Sequence, residues 1–118
     1  MKKVSLDSEL AAITKHWRPK VVGELNGQEV KLVKFSGEFP WHHHENEDEM
    51  FFAVRGCFRL EFRDRRTVEL SPGEFVIVPR GVEHRPVADS EVEVMLFEPA
   101  NLRNTGNVFD ENFTAPKA

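Results

Sequence analysis

Two hydrophobic periods divide the chain. Near the N-terminus Leu6, Leu10, Ile13 and Trp17 recur close to a helical period, Ser5 or Asp7 can cap the segment, and Pro19 stops it. After Pro19 the period becomes two. Val21 to Leu25 and Val30 to Phe35 flank Asn26-Gly27, and that dipeptide readily takes the positive φ angles of a type I′ hairpin turn. Further strands are predicted over Met50–Arg55, Phe58–Arg63, Thr67–Leu70, Glu74–Val78 and Glu91–Phe97. Gly56-Cys57, Asp64 to Arg66, Ser71-Pro72-Gly73, Pro79-Arg80-Gly81 and Ala88-Asp89-Ser90 read as the turns between them. Many short strands with no helix among them describe an all-β antiparallel sandwich or barrel. The pattern divides the chain into a helical segment over 1–19, a strand region over 20–98 and an extended tail over 99–118. In that tail Val108, Phe109 and Phe113 are the only large apolar residues after Pro99 apart from Leu102. The tail either frays, or Phe109 and Phe113 anchor it on the barrel or on a second subunit.

Composition narrows the class. At 118 residues the chain is one domain, and 40% hydrophobic residues with ten Phe and two Trp are too apolar for a disordered chain. A net charge of −4 and the interleaving of Glu61 and Asp64 among Arg55, Arg59, Arg63, Arg65 and Arg66 make that basic run a solvated sheet face, with no nucleic-acid partner. The single cysteine, Cys57, cannot form an internal disulfide or supply a multi-thiolate metal site. It reads as a buried, inert thiol in a reduced, cytoplasmic protein. No apolar stretch approaches the ~18 residues that span a bilayer, and Asp7 and Glu9 fall where a signal peptide needs apolar residues.

The chemistry concentrates in Trp41-His42-His43-His44-Glu45-Asn46-Glu47-Asp48-Glu49. In an extended segment His42 and His44 point to one side and His43 to the other. Glu49 could add a carboxylate, with Glu47 as the fallback. His84 follows a Pro-x-Gly turn that could return it to the same spot. Imidazoles and a carboxylate without thiolate suit one divalent transition metal ion, with Fe, Mn, Ni, Zn, Co and Cu all open. His16 reads as a surface residue of the N-terminal helix. The strand phenylalanines, Phe51, Phe52, Phe58, Phe62, Phe75 and Phe97, fill the barrel or a dimer face. Arg55, Arg59 and Arg80 are candidates for contact with an anionic substrate, and the absence of Tyr excludes a tyrosyl acid or base.

The spacing resembles a known family. Gly37, four residues, His42-x-His44, four residues, Glu49, six residues, Gly56 is similar to the first cupin motif, and Gly73, five residues, Pro79-x-Gly81, two residues, His84 is similar to the second. Two details depart from the usual pattern. One residue fewer separates Gly37 from His42, and Ala88 stands where the second motif usually closes with Asn. The resemblance implies a double-stranded β-helix, a jelly-roll-like barrel with a short N-terminal helix, holding a metal on His42, His44, Glu49 and His84. Gly56 and Gly81 would serve tight turns. Such small cupins are commonly homodimers and are often grouped as mannose-6-phosphate-isomerase-like or dTDP-sugar-epimerase-like (RmlC-like) barrels. Function then reads as a metal-dependent enzyme acting on a small organic substrate, by dioxygen activation, isomerisation or decarboxylation. The alternative is a non-catalytic module that binds a small ligand or senses a metal.

Overall fold

The structure, a computed structural model, describes residues 1–100 and 102–116. It contains one helix, α1 (Leu6–Ala11), and seven strands: β1 (Lys20–Leu25), β2 (Gln28–Glu38), β3 (Glu49–Arg55), β4 (Phe58–Phe62), β5 (Thr67–Leu70), β6 (Phe75–Val78) and β7 (His84–Pro99). All pairing is antiparallel. Strand order runs β1-β2-β7-β3-β6, with β4 also on β7 and β5 on β4, which makes an all-β barrel. No described helix is long and apolar enough to cross a membrane.

The hairpin between β1 and β2 forms as the sequence predicts, with φ of 53° at Asn26 and 78° at Gly27. α1 starts where expected, the Ser5 hydroxyl accepting from the Ser8 N–H at 3.3 Å, but it ends at Ala11 and does not run to Trp17. Trp17 takes a left-handed φ of 61°, which no helix accommodates. Its indole stacks on Phe35 at 4.4 Å inside the barrel, so core burial overrides the helical period. His16 is therefore exposed but not helical, and pairs with Glu91 at 2.7 Å.

β7 is the larger correction. Ala88-Asp89-Ser90 is no turn. The register passes from Gly37↔Ala88 to Phe35↔Val92, so three residues of β7 stand opposite Ser36 in a bulge. The bulge bends the strand, letting its first part pair with β4 and its second with β3.

The strand faces set the layers. Inward positions Val33, Phe35, Phe51, Ala53, Phe58, Leu60, Val94 and Leu96 form the core. Leu10 of α1 and Ile13 just after it cover Leu32 on the outside. Of the strand phenylalanines, Phe51, Phe58 and Phe62 are buried, whereas Phe75 is exposed and Phe52 and Phe97 are half-buried. Cys57 is exposed, contrary to expectation. Inward phase belongs to Phe58, Leu60 and Phe62, which leaves the thiol in the turn near the Ser71 hydroxyl at 3.8 Å.

The basic face is charge-matched. Arg55 pairs with Asp7 and Glu93, Arg59 with Glu61 and Asp89, Arg63 with Glu83, and Arg66 with Asp64. Arg80 holds Asp48, so Arg55, Arg59 and Arg80 are all engaged by acids. The described part of the tail docks on the barrel. Arg18 donates to the Phe113 and Asn112 carbonyls, and Phe113 meets Trp17 and Phe39 edge-on at 5.7 and 5.4 Å. Phe109 is 74% exposed and does not anchor the tail on the barrel. The remainder of the tail, residues 101, 117 and 118, lies outside the described residues.

Candidate metal centre

Each of the four candidate side chains is aimed by its own backbone. His42 and His84 lie opposite one another in a two-residue antiparallel bridge. The His44 carbonyl accepts from the Gly81 N–H at 2.8 Å, tying the His-rich segment to the Pro-x-Gly turn. Period-two geometry then sends His42 and His44 inward and His43 outward, where its Nε2 meets Glu45 at 2.9 Å. Glu49 opens β3 in the same inward phase as Phe51 and Ala53.

The result is a buried cluster of His42, His44, Glu49 and His84, whose potential ligand atoms all lie within 4.8 Å of one another. None of the four residues is more than 4% exposed. His44 Nε2 is 3.2 Å and His84 Nε2 3.7 Å from Glu49 Oε1. The tautomers are set from behind. His42 Nδ1 donates to the Pro40 carbonyl at 3.0 Å and His84 Nδ1 to the Val82 carbonyl at 2.8 Å, which leaves each Nε2 with its lone pair toward the cluster. Burial, with the nearby charge of His84, pulls the His42 pKa down to about 3, so this imidazole stays neutral. Burial pushes Glu49 up, but the His44 and His84 rings and Glu98 beside it outweigh that and hold the carboxyl well below its usual range.

These residues fit a cation. His44 Nε2, His84 Nε2 and Glu49 Oε1 are buried without a hydrogen-bond partner, and a buried polar atom left so costs roughly 1–3 kcal/mol. Ligand atoms each about 2.1 Å from one ion stand about 3–4 Å apart, and the His44 and His84 nitrogens lie 3.2 and 3.7 Å from Glu49 Oε1. Glu47 does not join the cluster; its carboxylate accepts from the Asn46 N–H instead.

A second buried acid went unnoticed in the sequence. Glu98, 2% exposed, stands beside Glu49 across the β7–β3 pairing, and its Oε1 lies 3.0 Å from Lys31 Nζ. Burial and the Glu49 charge raise its pKa well above the usual carboxylate range. The signal was there: Val92, Val94 and Leu96 set an inward phase that Glu98 continues.

Beside the cluster lies a cavity of about 30 Å³, room for a water or two. Its walls include Trp17, Phe35, Phe39, Phe51 and Leu96, together with His42, Glu49 and Asn104.

The cupin domain family matches residues 28–98, and the chain belongs to that family. A cupin-2 domain protein of Shewanella frigidimarina is 38% identical, with a TM-score of 0.79 over 81% of this chain and 93% of that one. An uncharacterized Bacillus subtilis protein, YdbB, is 36% identical over 64 residues, 54% of this chain, and the match spans only 57% of that protein's length. At 21% identity, hydroquinone 1,2-dioxygenase PnpCD, solved with Cd²⁺ and 4-hydroxybenzonitrile, shares the fold, with a TM-score of 0.67 over 79% of this chain and 70% of that one.

Proposed function

We propose that this cupin is an enzyme acting on a small organic molecule through one divalent transition metal ion held by His42, His44, Glu49 and His84. The observation that carries this reading is the convergence of buried nitrogen and oxygen atoms that lack any hydrogen-bond partner. When bound, such an ion supplies Lewis acidity or redox chemistry. The chain's own residues do the rest. The Pro40 and Val82 carbonyls orient two imidazoles, Glu98 stands beside the Glu49 carboxylate, and Trp17, Phe35, Phe39 and Phe51 give the adjoining cavity an apolar wall. The dioxygenase among the fold relatives makes an oxygen-dependent reaction on a small aromatic substrate the first to assay. Iron(II)-loaded protein is expected to consume dioxygen with a member of a panel of small phenols and keto acids, and Glu49→Ala to abolish it.

The second reading is a non-catalytic ligand- or metal-binding module. One observation favours it: among the described residues lining the inner cavity, His42 and Glu49 are the only ones with an acidic or basic side chain, so no further acid or base faces a bound molecule. Ligand binding without turnover across the panel would select it.

We also propose that the chain pairs with a second copy through the outer face of the sheet. Two cross-strand rows there are wholly apolar, Ile77–Met50–Phe97–Val30 and Phe75–Phe52–Met95–Leu32. Strands that are apolar on both faces are strands meant to be covered on both. α1 covers only the Leu32 end, and Phe75 and Ile77 are 58% and 54% exposed. An uncharged strip of this kind is self-complementary, as a two-fold interface requires.

A further inference from the structure

Outside the metal cluster the molecule holds a much larger concavity, a groove of about 510 Å³ between the inward face of β1 and β2 and the C-terminal tail. Its volume falls in the range of small-molecule sites, about 300–1,000 Å³. Leu102 to Pro116 form one wall and Pro19 and Val21 the other, so most of it is built by residues outside the 28–98 cupin match. Pro19 and Asn104 line both this groove and the inner cavity, and thus form the partition between them. Asn104 is fixed in that wall: its Nδ2 donates to the Phe113 carbonyl at 2.8 Å and its Oδ1 accepts from the Ala115 N–H at 2.8 Å.

The lining is amphipathic. Val21, Leu102, Phe109, Ala115 and Pro116 are apolar, and Phe109 stands exposed. Of the charged residues, Lys31 is matched on the floor by Glu98 and Glu29 at 3.0 and 3.7 Å. Arg103 is not matched. Its Nε donates to the Gly106 carbonyl at 2.9 Å, and its guanidinium has no acidic partner among the described residues. That contrasts with Arg55, Arg59, Arg63, Arg66, Arg80 and Arg85, each of which is paired with an acid.

We infer that this groove is a binding site for a small organic carboxylate, its anionic head taken by Arg103 and its apolar body laid along Val21, Leu102 and Phe109. The site lies beyond the metal cavity, across the Pro19–Asn104 partition, and does not depend on a bound ion. Guanidinium suits the planar head group, and the free amino edge can donate two parallel hydrogen bonds to it.

The test uses three probes with one apolar body, hexanoate, hexylammonium and hexan-1-ol, titrated into the full chain and followed by amide NMR shifts. Hexanoate should shift amides around 20–21 and 102–109 and bind about tenfold tighter than hexylammonium, the effect of one charge-assisted hydrogen bond. Arg103→Gln should erase that preference and leave hexanol binding unchanged, while Phe109→Ser should weaken all three. The preference should be the same in metal-loaded and chelator-stripped protein, and metal content measured on the same samples reads the metal proposal separately. Equal binding of hexylammonium, retention of the preference in Arg103→Gln, or loss of hexanoate binding on metal removal would each overturn the assignment.

Discussion

Glu98 and Glu49 stand side by side on β7 and β3, one register step beyond the Phe97↔Met50 pair, both buried, with pKa values driven in opposite directions. Two adjacent carboxyls cannot both ionise cheaply out of water, so one keeps its proton and donates to the other. Glu98 is the donor and Glu49 the charged acceptor. A metal-ligating carboxylate held this way is oriented by its neighbour. Glu98→Gln retains an N–H donor and should leave metal affinity within about threefold of wild type. Glu98→Leu should lower it by about 10–100-fold. Competition against a chromogenic chelator measures both, and equal losses in the two variants would mean Glu98 matters only for packing.

The same buried groups set the pH response of the metal-free protein. His42 titrates at about 3 in the fold against 6.5 when free, so between those values only the unfolded chain binds the proton. Its contribution to stability is full above 6.5 and declines as pH falls, by about 1.4 kcal/mol per pH unit. Glu98 acts oppositely. Its raised pKa means that above 4.5 the fold keeps a proton the unfolded chain releases, so it costs stability as pH rises from there. Glu49, depressed, contributes above 4.5 and loses that contribution as pH falls below it. The opposing slopes of His42 and Glu98 therefore offset between 4.5 and 6.5, and below 4.5 His42 and Glu49 fall together. Urea unfolding of chelator-treated wild type and His42→Gln should show wild type losing ground to the variant as pH drops below 6.5. A difference that stays constant from pH 4 to 8 would contradict the buried neutral imidazole.

The outer apolar rows predict the assembly. Phe75→Lys and Ile77→Lys point away from the barrel core, so each should leave the fold intact while converting a dimer to a monomer in sedimentation at micromolar concentration. Monomeric wild type, or dimeric Lys variants, would remove this face from consideration.

The tail is held at one tight place. Gly106 has a φ of 57°, and a Cβ there would collide with the His43 carbonyl. Gly106→Ala should therefore cost about 1–3 kcal/mol of local stability and speed hydrogen exchange at the Asn107 amide, which donates to that same carbonyl at 3.0 Å. Unchanged exchange at Asn107 would show that the tail is not seated by this contact.

Much of this was written in local sequence. Asn26-Gly27 fixed a hairpin because few residues tolerate two successive positive φ angles, and alternation separated His43 from His42 and His44. The strand boundaries of β3, β4 and β5 followed the same period. What escaped was decided at long range. Asp89 and Ser90 look like a turn, yet β2 pairs with the strand on both sides of them and holds them as a bulge. Trp17 fits a helical stripe, yet Phe35, Phe39 and Phe113 draw it inward from distant parts of the chain. Local sequence does not single out Glu98, because its partners, Lys31 and Glu49, come from other strands.

The central claim is that His42, His44, Glu49 and His84 hold one metal ion, and metal analysis of untagged protein tests it most directly. Elemental analysis after native purification should find close to one transition metal ion per chain. His44→Ala and His84→Ala should reduce that to a small fraction, and His43→Ala, whose ring points away from the cluster, should retain it. Metal-free wild type that takes up no transition metal on addition, or equal metal content in all three variants, would contradict the account.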